Sequence, residues 1–139
     1  MKPGIFEILQ EAEKQPNRIL KAEVLQKNSG QLLHMVLHTA FHPDMKWELP
    51  EGSPPYQPTI LQGQEESLYV HARMFKYFIP DLSPNLSPKK RDLMFCQMLE
   101  CVHPKDAELL IAIKDKKMPV WAKSITPDVV KFAFPGLLD

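Results

Sequence analysis

The sequence predicts an all-α fold, a single domain over residues 1–139 built from six or seven short helices, and three observations carry that prediction. Apolar residues recur at three- and four-residue intervals along most of the chain, the period of a helix with one buried face. Pro3, Pro16, Pro88, Pro104 and Pro127 each stand at the start of such a run, where a missing N–H does no harm because the first helical turn leaves it unpartnered anyway. No stretch alternates apolar and polar residues convincingly enough to read as a half-buried strand.

The elements follow in order. A first helix over about 3–14 puts Ile5, Phe6, Leu9 and Ala12 on one face. A second, about 17–28, carries Ile19, Leu20, Val24 and Leu25, and Ser29-Gly30 stops it. The third, about 31–42, sets Leu33, Val36, Leu37, Ala40 and Phe41 along one stripe. Residues 43–62 collect Pro43, Pro50, Pro54, Pro55 and Pro58 and cannot be helical throughout. They read as a surface loop with Trp47 and Tyr56 as anchors. A fourth helix, about 64–79, aligns Leu68, Ala72, Phe75 and Ile79. The fifth, about 88–102, has Ser87 as its cap, and the seventh, about 127–134, has Thr126. His103, before the sixth at about 105–117, is a poorer cap. The expected core includes Phe6, Leu9, Leu20, Leu33, Leu37, Phe41, Phe75, Leu99, Leu110 and Phe132.

Composition excludes more than it suggests. With 17 basic and 17 acidic residues the chain is neutral, so no strongly basic footprint announces nucleic acid. No segment approaches the roughly 20 apolar residues of a membrane span, and the first residues lack a secretory apolar run. Two cysteines are too few for a disulfide framework. A reduced cytoplasmic protein is the expectation, with no membrane partner.

The candidate chemistry is sparse. His34, His38 and His42 recur every four residues, but the outer pair would stand about 12 Å apart along one helix, too far to share an ion. They read as a polar face. Cys96 and Cys101 lie on the apolar-rich fifth helix and read as packing, with His103 a weak third ligand; the expectation is no metal. There is no phosphate-cradling glycine loop, dinucleotide fingerprint or nucleophile elbow. Neither an enzyme nor a cofactor is expected.

Charge distribution says more than its sum. Residues 1–69 carry six Lys/Arg and nine Asp/Glu, and residues 70–139 carry eleven and eight. The second half holds tight basic runs, Arg73 with Lys76, Lys89-Lys90-Arg91, and Lys114 with Lys116-Lys117, then Lys123 and Lys131. Brought together, they would cradle phosphates. Lysines near helix ends also favour the helix dipole and need no ligand to explain them.

Two segments carry a resemblance. Phe6-Glu7-Ile8-Leu9 leads through Lys27-Asn28 and Leu32-Leu33 to Phe41-His42-Pro43, and Asp106-Ala107-Glu108-Leu109-Leu110 leads through Lys114 to Lys117 and on to Phe134-Pro135-Gly136-Leu137. Both resemble the all-helical N-terminal DNA-binding domain of T-even-like bacteriophage ATP-dependent DNA ligases. No Lys-x-Asp-Gly adenylation motif occurs, so the resemblance implies a non-catalytic, phage-encoded relative that grips duplex DNA by its backbone. It points to Lys114, Lys116, Lys117, Lys123 and Lys131 as phosphate contacts, to which the charge pattern adds Lys89, Lys90 and Arg91. The alternative is a protein-interaction adaptor, virion component or host-takeover protein that docks a phage or host partner through the Trp47–Tyr56 loop.

Overall fold

A computed structural model describes residues 3–58 and 66–139. Seven α-helices account for most of the regular structure: α1 (Ile5–Glu13), α2 (Arg18–Lys27), α3 (Gln31–Phe41), α4 (Leu68–His71), α5 (Pro88–Cys101), α6 (Pro104–Lys114) and α7 (Pro127–Ala133). Three 3₁₀ segments join them, Ala72–Phe78, Pro80–Leu82 and Val120–Ala122. The expected start of a fourth helix at 64 lies outside the described residues.

Helix starts follow local chemistry. α5, α6 and α7 each begin on a proline. The Ser87 and Thr126 side chains accept from Lys90 N–H and Val129 N–H respectively, and His103 caps α6 after all, its Nδ1 accepting from Lys105 N–H at 3.0 Å. Pro3 and Pro16 stand one residue outside their helices, before the cap residues Gly4 and Asn17. Asn17 does the capping itself, accepting from Leu20 N–H at 2.9 Å.

The core forms around α6, which packs on α1, α3 and α5, while α2 packs on α1 and α7. Ile5, Leu9, Leu25, Leu37, Leu99, Leu110 and Ile113 are essentially sealed from solvent. Truncating one such leucine to alanine costs about 2–5 kcal/mol. Four expected core residues sit farther out. Phe6, Leu20 and Phe41 are half-buried, and Phe6 stacks on the His103 imidazole at 4.3 Å. Phe132 is 44% exposed, with the Arg18 guanidinium 5.2 Å above its ring. One face of α7 buries Val129, Val130 and Ala133, and Phe132 falls on the outer face.

The proline-rich stretch through residue 58 is an extended strap across the helices. Its key is Trp47, only 1% exposed. The indole meets Phe75 at 4.9 Å, Phe78 at 5.2 Å and Phe95 at 6.3 Å, offset and edge contacts that add to the area buried. Glu48 N–H then donates to the Phe78 carbonyl at 2.7 Å. Phe75 and Phe78 share one side of a 3₁₀ segment because three residues make one turn there; the expected α-helix over this region stops at His71. Trp47 is thus an anchor, and its indole is closed to any partner.

Candidate functional site

The basic residues divide into two groups according to what their charges meet. Arg91, Lys114 and Lys116, all expected to face DNA, point inward. Arg91 is 2% exposed; its guanidinium donates to the Tyr77 and Ser83 carbonyls at 2.9 and 3.0 Å and pairs with Glu48 at 2.8 Å. Lys114, also 2% exposed, donates to the Pro50 carbonyl at 2.8 Å and pairs with Asp115 at 2.9 Å. Asp115 in turn accepts from Gly52 N–H at 3.1 Å. For Lys114, and in part for Lys116, the physical reason is the strap: the Pro50 and Met45 carbonyls on this extended, proline-rich segment have no main-chain donor among the described residues, and buried carbonyls need partners. Long cationic side chains supply them.

Lys116 shows the same logic with a backbone signature. It takes a left-handed conformation, φ 62°, just past the end of α6, with Lys117 N–H returning to the Ala112 carbonyl and Lys116 N–H to Ile113. That is a Schellman turn, which glycine ordinarily occupies. The turn sends the ammonium to the carbonyls of Thr39, His42 and Met45 at 2.5–2.6 Å, where α3 ends and the strap begins. Burial, with Lys46 nearby, holds this lysine below its ordinary pKa. None of the three cations is available to phosphates. The remaining expected contacts, Lys89, Lys90, Lys117, Lys123 and Lys131, are solvent-exposed.

A second basic group joins Arg73 and Lys76, a basic run in the sequence, to Lys27 from the acidic half, around a groove of about 760 Å³ between the α2–α3 turn and the segment from Tyr69 to Leu82. Ile8, Leu32, Leu33, Phe75 and Ile79 form its apolar floor. Lys27, Arg73 and Lys76 stand at its walls, all exposed. Among the described residues no carboxylate lines it and none of the three cations is in an ion pair. The first residues of α3, whose cap Gly30 brings no side-chain oxygen, also line it and add the positive end of a helix dipole. Leu82, 62% exposed, extends the apolar surface to the rim.

The other candidate residues have structural partners. His34 meets Ser29 Oγ at 2.9 Å and the Phe134 ring edge-on at 4.6 Å. His38 stacks on His42 at 4.5 Å, and burial, His42 and Lys116 together lower its pKa. Both cysteines are half-buried. Burial and neighbouring carboxylates raise both thiols, the reverse of what activates a nucleophile.

What the geometry defines is a small helical protein with one apolar-floored, basic-walled groove and no membrane-crossing helix among the described residues. Its family is that of DUF6433, a family of unknown function, whose model matches residues 8–119, so the chain belongs to it. The matched region holds the strap and all of the groove except Pro3. Neither a curated protein nor a solved structure matches the chain.

Proposed function

We propose that this protein is a non-catalytic docking module that takes an acidic, amphipathic segment of a protein partner into the groove. One observation carries the reading: among the described residues, three exposed cations without ion pairs flank an apolar floor that contains no carboxylate. A helix laid in such a groove would bury its apolar face on Leu32, Leu33 and Phe75 and set its acidic face against Lys27, Arg73 and Lys76. Complementary charge of this kind speeds encounter and rejects basic competitors. Duplex DNA would use the cations but has no need of the floor, since phosphate contacts are purely polar. The adaptor is therefore the better account, with its docking surface moved from the Trp47–Tyr56 loop to the groove.

The duplex reading keeps some support in the five exposed lysines and in the ligase-like segments at both ends. Fluorescence anisotropy separates the two. The probes are a labelled peptide with leucines at helical spacing and glutamates between them, and a labelled short duplex. The peptide should bind, and the triple variant K27E/R73E/K76E should weaken it at least roughly tenfold. Peptide binding that is absent, or indifferent to the triple reversal, overturns the proposal. Duplex binding that falls in K117A/K123A/K131A, with a salt slope near −0.9 per phosphate contact, would establish the other reading.

A further inference from the structure

Glu66 and Cys101, far apart in sequence, are clamped together by the main chain. Glu66 N–H donates to the Cys101 carbonyl at 2.6 Å, and Glu66 pairs with Val102 in an isolated parallel bridge. His71 closes α4, and its Nε2 lies 3.0 Å from Glu66 Oε2. The Glu66 carboxylate also lies near the Cys101 thiol and, after burial, raises its pKa. One ligand-type atom from each of the three residues lies within 4.8 Å of the other two. Glu66 is exposed and the other two half-buried, so an ion can reach them.

A thiol, an imidazole and a carboxylate are the three ligand types of protein-bound zinc. Tetrahedral zinc at ordinary bond lengths holds its ligand atoms about 3.5 Å apart. His71 and Glu66 already meet that spacing, and Cys101 needs to close by at most about an ångström, with the exposed Glu66 side chain free to follow. Calcium and magnesium fit poorly, because they take six or more oxygens and the cluster offers a single carboxylate. We propose that Glu66, His71 and Cys101 form a zinc site with its fourth position open. It shares no residue with the groove and does not depend on the docking reading.

Without the ion, the Glu66 carboxylate lies near the Cys101 thiol and, in the matching tautomer, is acceptor to His71 Nε2–H. On binding, the Cys101 sulfur loses its proton to solvent and coordinates as thiolate. His71 coordinates through the Nε2 lone pair with its remaining proton on Nδ1, and Glu66 coordinates through one oxygen. Thiolate and carboxylate then balance the two positive charges of the ion, and the released proton makes binding tighter at higher pH. The ion would tie the entry to α4 to the junction between α5 and α6.

The test uses the whole reduced chain, first stripped by a chelator. Zinc is titrated in competition with a chromophoric chelator, and cobalt is titrated separately because a thiolate ligand gives it a charge-transfer absorption. Wild type and C96S should each bind one equivalent and show that absorption. C101S should lose the absorption, and C101S, H71Q and E66Q should each bind zinc at least roughly tenfold more weakly. Circular dichroism establishes that each variant is folded, and E66Q, altered at an exposed side chain, keeps the test open if another fails. A cobalt spectrum without the thiolate absorption would overturn the site. So would absorption that persists in C101S or disappears in C96S, or zinc binding that E66Q and H71Q leave unchanged.

Discussion

The strap face and the groove face use the same residue types in opposite ways. Under the strap, Arg91, Lys114 and Lys116 bring their charges to eight main-chain or carboxylate partners, with Met45, Glu48 and Pro50 contributed by the proline-rich segment and the others by its surroundings. Around the groove, Lys27, Arg73 and Lys76 meet an apolar floor and solvent. A basic run in a sequence therefore says little about ligands until the unpaired carbonyls near it are known. Where an extended segment crosses the helices, cations are consumed as donors; where helices satisfy their own carbonyls, cations remain available.

The largest expected effect breaks the strap. Arg91→Ala would take the guanidinium donors from the Tyr77 and Ser83 carbonyls, leaving Ser83 only the Leu86 N–H, and delete a buried side chain, a loss of about 3–5 kcal/mol in chemical denaturation. Glu48→Gln should cost under about 1 kcal/mol, because that carboxylate is more than half exposed. If the two variants were equally destabilised, the ion pair would matter and the carbonyl argument would be wrong.

A buried charge of opposite sign sharpens the contrast. Asp106 is 4% exposed, one of its oxygens has no hydrogen-bond partner, and burial pushes its carboxyl up from 3.8 to about 7. A hydrogen bond from the Phe6 N–H opposes the rise and Glu7 adds to it; Tyr69, facing the same carboxylate, has its own phenol raised by burial first. The folded state thus holds this proton more tightly than the unfolded chain does. Its contribution to stability is complete below about pH 4 and is lost as pH climbs through about 7, a change on the order of 4 kcal/mol. Unfolding measured across that window should flatten in Asp106→Asn, and an unaltered profile would contradict the assignment.

Lys116 gives a smaller and more particular effect. Lys116→Ala removes three carbonyl donations and keeps a left-handed β-carbon, a loss of about 1–3 kcal/mol. Lys116→Gly removes the same bonds and relieves a backbone strain of about 1 kcal/mol, so glycine should be the milder of the two. Glycine no better than alanine would mean that the turn at residue 116 is not left-handed in solution.

The helices were legible because their signals are local. Ser87-Pro88 and Thr126-Pro127 place helix starts within a few residues, and the apolar spacing of α3 and α5 finds their buried faces. The 3₁₀ segment was not legible: Leu68, Ala72, Phe75 and Ile79 are spaced for an α-helix, and packing of Phe75 and Phe78 on Trp47 decides otherwise. The site was largely hidden for the same reason. Lys114 and Lys116 find acceptors more than 60 positions away, and the groove joins residues of α1, the α2–α3 turn and the Tyr69–Leu82 segment. Likewise nothing near Cys101 in sequence announces Glu66 or His71. The loop prolines were themselves the available clue, since a proline-rich strap laid over helices must find donors for its carbonyls.

Lysine reactivity tests the division of the cations most directly. The native chain is treated briefly with an amine-acetylating reagent, and the labelled positions are read by peptide mass spectrometry. Lys27, Lys76, Lys117, Lys123 and Lys131 should react readily, whereas Lys114 and Lys116 should react at least roughly tenfold more slowly until denaturant releases the strap. Lys117, the immediate neighbour of Lys116, is the internal standard. Lys114 and Lys116 labelled as fast as Lys117 in the native chain would contradict the account, because their amines would then be free for the phosphate contacts it denies them.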